Sequence, residues 1–162
     1  MAQALGIERS ALGTRGLPTR LARLGLAVAL TFAAGCGAIG AKPATNCFHS
    51  NEAIEVDIGF CSALRDGRTL HVSGIPGQGE MAAAVRSVYE RMARVLAANG
   101  YSFADVVKEN VYATDLDAFI RNKEIRKEFY QGDLPAATWV QVQRLYLPSF
   151  VVEIEVTAEK RR

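Results

Sequence analysis

Val152, Ile154 and Val156 alternate with Glu153, Glu155 and Thr157, the two-residue period of a strand with one buried face. The same period runs through Thr69–Ser73, where Leu70 and Val72 oppose Thr69, His71 and Ser73. Phe60–Leu64 reads as a short strand before it, with Arg65-Asp66-Gly67-Arg68 as a hairpin turn. Gly74–Gly79, with three glycines and a proline, reads as a loop. Between Glu80 and Asn99 the period changes. Met81, Val85, Val88, Met92, Val95 and Leu96 recur at three- and four-residue steps, and Asn99-Gly100 supplies a stop. Val106–Ala113 is a β-rich strand. Thr114 and Asp117 have capping-box spacing and open a second helix running to about Gln131-Gly132. Pro135 introduces a strand with Ala137, Trp139, Gln141 and Gln143 on one face and Thr138, Val140, Val142 and Arg144 on the other. The order ββαβαββ predicts an α+β two-layer sandwich with its helices on one sheet face. The other face is expected to carry His71, Ser73, Ala137, Trp139, Gln141, Glu153 and Glu155. A face that polar, yet bearing a tryptophan, calls for a partner, and a second copy of the chain is the simplest one.

The N-terminal quarter follows different rules. Residues 1–45 contain no Asp and one Glu, Glu8, whereas Arg9, Arg15, Arg20 and Arg23 precede an uncharged run from Leu24 to Ala41. Basic residues before an apolar, Ala- and Gly-rich stretch have the layout of an export signal. Ala33-Ala34-Gly35-Cys36 resembles the bacterial lipoprotein cleavage box, with Ala33 where a branched apolar residue is usual. Residues 1–41 are therefore expected to be a signal, with Cys36 as the site of lipidation. The protein is then expected in the bacterial periplasm or envelope, held to the membrane by an N-terminal signal or lipid anchor. Residues 42–57 read as a tether and N-terminal segment, and 58–162 as the folded domain. In an oxidising compartment Cys47 and Cys61 are either a disulfide or two small buried thiols.

The 162 residues carry Lys+Arg 19 against Asp+Glu 17, a net charge of +2. That mixed, nearly neutral balance argues against nucleic acid as a partner. Two histidines leave little material for a metal site, and none is expected.

Residues 58–159 resemble the RidA/YjgF reactive-intermediate deaminase family. The likeness rests on Ile58-Gly59-Phe60, Val72-Ser73-Gly74, Ala97-Ala98-Asn99-Gly100 and Asp105-Val106-Val107-Lys108. It continues through Asp115–Phe119, Leu134-Pro135-Ala136 and Val152-Glu153-Ile154-Glu155. It implies a chorismate-mutase-like fold and a homotrimer with sites between subunits. It also implies cofactor-free hydrolysis of 2-imino and enamine acids to 2-keto acids and ammonia. Carried onto this sequence, Glu153 matches the carboxylate that holds the attacking water, and Ser73 matches a residue lining the site. Phe60 stands where a tyrosine is common. Ala137 stands where deaminating members carry the arginine whose fork holds the substrate carboxylate. Trp139 replaces a small residue or cysteine, and Gln141 follows it on the same face. By alternation Arg144 falls on the opposite face from Ala137, which makes it a poor substitute for the missing arginine. The resemblance thus supports a deaminase-like hydrolase whose substrate departs from an ordinary 2-imino acid. The alternative is a non-catalytic trimeric module that binds a small planar molecule. RNA cleavage, sometimes assigned to the family, finds no basic stripe here.

Overall fold

The computed structural model describes residues 46–160. Six strands form one mixed sheet: β1 (Asn46–Phe48), β2 (Ala63–Asp66), β3 (Thr69–Gln78), β4 (Val106–Ala113), β5 (Ala136–Gln141) and β6 (Phe150–Glu159). Their spatial order is β1-β2-β3-β6-β4-β5. Only β4 and β5 run parallel; the other neighbours are antiparallel. The helices are α1 (Glu52–Ile58), α2 (Met81–Ala98), α3 (Leu116–Arg121) and α4 (Lys123–Tyr130). Val85, Val88, Tyr89, Met92 and Leu96 of α2 pack with Leu70, Val72, Val111, Ile154 and Val156 in one core. The Met and Val stripe is core, as its spacing predicts.

Gly74–Gln78, read as a loop, belongs to β3. Its glycines answer close approach rather than a turn. A Cβ on Gly74 would sit 2.1 Å from Glu153 Oε1, and one on Gly77 would sit 2.8 Å from the Ala84 carbonyl oxygen of α2. The register slips by one residue between Val72 and Ile75 against β6, so Ser73 and Gly74 form a bulge. Farther upstream, the segment read as a tether holds β1 and α1 among its described residues. The first hairpin strand begins at Ala63 rather than Phe60, and its two-residue turn is Gly67-Arg68.

The second helix is two helices. Asn122 Nδ2 donates to the Ala118 carbonyl at 2.9 Å, while the Asn122 backbone N–H turns to Phe119. The side chain thus takes the acceptor that a continuous helix would give to the backbone. The cap is Asp115, which accepts from the Ala118 N–H at 2.8 Å. Thr114 instead donates its backbone N–H to Val151 and so extends the sheet.

Candidate functional site

Three strands aim polar side chains at the face away from the helices. Pro76 of β3 and Tyr112 of β4 flank Glu153 of β6 in register. Glu155 lies two residues on, accepting from Asn110 Nδ2 at 2.8 Å and from the Tyr112 hydroxyl at 3.1 Å. Burial, and then the neighbouring Glu155 charge, push the Glu153 carboxyl above the ordinary carboxylate range. The same causes, burial first, raise the Tyr112 phenol. Glu153 therefore keeps a proton at a pH where an exposed glutamate has lost it, as proton transfer requires. Its side chain lies against Gly74, where any larger residue would displace it.

Glu153 and Tyr112 line an open cleft of about 580 Å³ together with Val142, Arg144, Leu145 and Tyr146. Arg144 falls on the opposite face from Ala137, as expected, but that face is the one Glu153 occupies. β5 ends at Gln141, and the following loop carries Arg144 to the Glu153 cleft. Its guanidinium makes one hydrogen bond, to the Tyr146 carbonyl at 3.2 Å.

The remaining expected site residues lie in three places. The Ser73 hydroxyl donates to the Cys61 carbonyl at 2.6 Å and so pins β3 to the segment before β2. Phe60 is exposed and lines a separate cavity of about 510 Å³ with Phe48, Ser62, Gly74, Arg91 and Arg94. Ala137, Trp139 and Gln141 do not join Glu153. In register, Ala137 pairs with Glu109, Trp139 with Val111 and Gln141 with Ala113, and all three partners are buried under the helices. The face assignment from alternation was inverted for β5, because nothing in a mostly exposed edge strand marks which of its faces turns inward. Trp139 stacks edge-on against Phe119, with ring centroids 5.1 Å apart. Gln141 accepts from the Leu116 N–H at the start of α3. Within the protomer Trp139 therefore packs on the helix side of the sheet, away from Glu153.

Two buried carboxylates were not singled out from the sequence. Glu109 is fully buried and accepts from Arg126 Nε at 2.6 Å, Tyr130 at 2.7 Å, Tyr89 at 2.8 Å and Trp139 Nε1 at 3.4 Å. Glu55 of α1 accepts from His49 Nδ1, the Ser62 hydroxyl and the backbone N–H groups of Ser50, Asn51 and Ser62. Burial alone would raise the Glu55 carboxyl, but these donors outweigh it and hold it at about 2. A capping signal at Asn51 could have marked α1, since its side chain accepts from Ile54. Neither carboxylate's partners could be read from spacing, because they arrive from other elements.

Cys47 and Cys61 are joined in a disulfide, which decides between the two expected states. Among the described residues, one trio of metal-type donor atoms, on Cys47, His49 and Cys61, falls within 4.8 Å. Both of its sulfurs are spent in that bond. No helix among the described residues is long and apolar enough to cross a membrane. Cys36 and the expected signal lie outside the described residues.

Residues 50–160 match the family model described as Endoribonuclease L-PSP. The chain belongs to this family, the RidA/YjgF family. A RutC family protein of Pyrococcus horikoshii is 32% identical over 110 residues, covering 62% of this chain and 86% of the relative. The 2-iminobutanoate/2-iminopropanoate deaminase of Rattus norvegicus is 32% identical over 108 residues, covering 61% and 78%. A YjgF-family structure from Mycobacterium tuberculosis superposes with a TM-score of 0.67 at 29% identity, covering 72% of this chain and 99% of that one. The α+β, chorismate-mutase-like fold expected from the sequence is that of these RidA/YjgF neighbours.

Proposed function

We propose that this RidA/YjgF protein is a deaminase-like hydrolase of small imines or enamines, producing a carbonyl compound and ammonia. The observation that carries the reading is Glu153, a carboxyl held above its ordinary range in a cleft it shares with Arg144. In its ionised form Glu153 takes a proton from water as the water oxygen adds to the carbon of the protonated imine, giving a carbinolamine. The carboxyl returns that proton to the nitrogen, the C–N bond breaks and ammonia leaves. The carbinolamine hydroxyl gives its proton to the Glu153 carboxylate as the carbonyl forms. Alignment of water and substrate supplies much of the acceleration. Ala137 cannot hold an anion. Arg144, on a loop rather than on β5, meets the anionic end of the substrate with its planar fork.

The site is proposed to be completed between copies of the chain, as a homotrimer. Ser73 on β3 and Ala137 on β5 are three strand steps apart, about 14 Å, and one small planar ligand cannot touch both within a protomer. Ile54, Val56, Ile58 and Phe60 are 55%, 61%, 47% and 40% exposed, an apolar edge suited to a second copy. Export and lipidation at Cys36 belong to the same proposal, rested on the Arg-then-apolar pattern of residues 9–41. Palmitate should label the wild type and not Cys36→Ser.

The activity test is release of ammonia from 2-iminobutanoate generated in the assay. Glu153→Gln should abolish turnover, and Arg144→Ala should raise KM about tenfold with a smaller change in kcat. The second reading, a binding module, is favoured by Ala137. It is the conclusion if wild type binds a planar carboxylate yet leaves the imine to its uncatalysed rate.

A further inference from the structure

His49 stands between a carboxylate and a disulfide. Its Nδ1 lies 2.8 Å from Glu55 Oε2, and its Nε2 lies 3.1 Å from Cys47 Sγ. The Glu55 carboxylate is 4% exposed and fixed by four further hydrogen bonds, from Ser50, Asn51 and Ser62. The imidazole is thereby held in one orientation, with its second nitrogen aimed at sulfur. Carboxylate, imidazole and sulfur in series are the parts that activate a cysteine nucleophile. A disulfide serving only to staple the N-terminal segment needs neither of the first two. Cys47 is exposed and Cys61 half-buried, the division of labour between an attacking and a resolving thiol. Beside them lies the cavity of about 510 Å³ lined by Phe48, Ser50, Phe60, Ser62, Arg91 and Arg94. Arg91 donates to the Pro76 carbonyl. Arg94 makes no ion pair among the described residues.

We propose that Cys47, His49, Glu55 and Cys61 form a thiol–disulfide exchange centre for small, carboxylate-bearing thiols and disulfides, separate from the imine chemistry. In the oxidised direction a substrate thiolate attacks the exposed Cys47 Sγ. The Cys47–Cys61 bond breaks, and its electron pair leaves on Cys61, which takes a proton. A second substrate thiolate attacks the substrate sulfur of the mixed disulfide, and Cys47 departs as a thiolate beside His49 Nε2. Two thiols have become one disulfide, and the protein disulfide has become a dithiol, with two electrons transferred. Run backwards, the Cys47 thiolate attacks a substrate disulfide and Cys61 resolves it. His49 stabilises the Cys47 thiolate and so favours the reduced pair. Arg94 draws the substrate carboxylates into the cavity.

The test equilibrates the full-length protein with reduced and oxidised glutathione, with free thiols counted by alkylation and mass spectrometry. The disulfide should open within an attainable glutathione ratio, and in the reduced protein Cys47 should alkylate at least tenfold faster than Cys61. His49→Ala should shift the equilibrium toward the disulfide about tenfold, or about 30 mV for two electrons. Cys61→Ser should accumulate the mixed disulfide on Cys47. The alkylation ratio is read on unmutated protein, so it stands even where a variant fails to fold. A disulfide that stays closed in a large excess of reduced glutathione overturns the proposal. So do equal alkylation rates for the two cysteines, or an equilibrium that His49→Ala leaves unmoved.

Discussion

Glu109 shows how one side chain holds an edge strand to the core. Its carboxylate accepts from Arg126, Tyr89, Tyr130 and the Trp139 indole, so α2, α4, β4 and β5 meet at two oxygen atoms. Burial, followed by the Glu109 charge, drives both phenols far above their ordinary range, and they stay protonated donors at any working pH. Glu109→Ala would strand a buried guanidinium and should cost about 3–5 kcal/mol in urea unfolding. A loss below about 1 kcal/mol would mean that Arg126 finds water. Glu153 behaves in the opposite way. Its folded-state value lies above its unfolded one, so the proton it keeps stabilises the fold at low pH. That contribution is lost as pH rises through the raised value. Glu153→Gln should therefore raise Tm by about 3 °C at pH 8 and leave it unchanged at pH 4. Equal Tm gains at both pH values would place the effect in packing instead of charge.

At the scale of an element, β3 depends on two glycines for different reasons. On Gly77 a Cβ would meet the backbone carbonyl of Ala84 at 2.8 Å, an atom that moves only with α2. Gly77→Ala should cost about 1–3 kcal/mol in thermal or urea unfolding. On Gly74 the clash is with the Glu153 side chain, which can rotate away. Gly74→Ala should leave stability within about 1 kcal/mol and reduce imine turnover at least tenfold, because the carboxyl is pushed from its place. Equal stability losses in both variants would show that Glu153 is as immobile as backbone. Helix α2 was legible from its period, and β4 from its β-rich composition. The division of α3 from α4 was not, since Asn122 replaces a backbone hydrogen bond by a side-chain one without disturbing the hydrophobic period.

For the whole molecule, the polar sheet face and the apolar edge around α1 support the proposed homotrimer. The 46–162 fragment should sediment as a trimer of roughly 38 kDa, at about 110 Da per residue. A stable monomer at micromolar concentration would remove any site shared between subunits. Acid should also loosen the end of the molecule that α1 occupies. Glu55 is held at about 2, so the stability it supplies is present above its unfolded value, near 4.5, and is lost as pH falls toward 2. Hydrogen exchange along Glu52–Ile58 should accelerate across that window, and the acceleration should be absent in Glu55→Gln.

The sequence alone determined the family, the order of most elements, the hydrophobic face of α2 and the buried face of β6. These are local or periodic properties, and one residue type repeated at one spacing suffices to write them. Only the tertiary structure decided the rest. An edge strand exposed on both sides carries no hydrophobic signal of its inner face, so Trp139 was placed on the wrong one. Arg144 lies opposite Ala137, as alternation predicts, but only the inverted placement of β5 and the loop after Gln141 bring it to Glu153. Cys47 and Cys61 were compatible with a bond or with two thiols until β1 paired with β2 and fixed their separation. The Glu55–His49 pair depends on that same closure, because side chains six residues apart meet only when the chain between them turns into a helix.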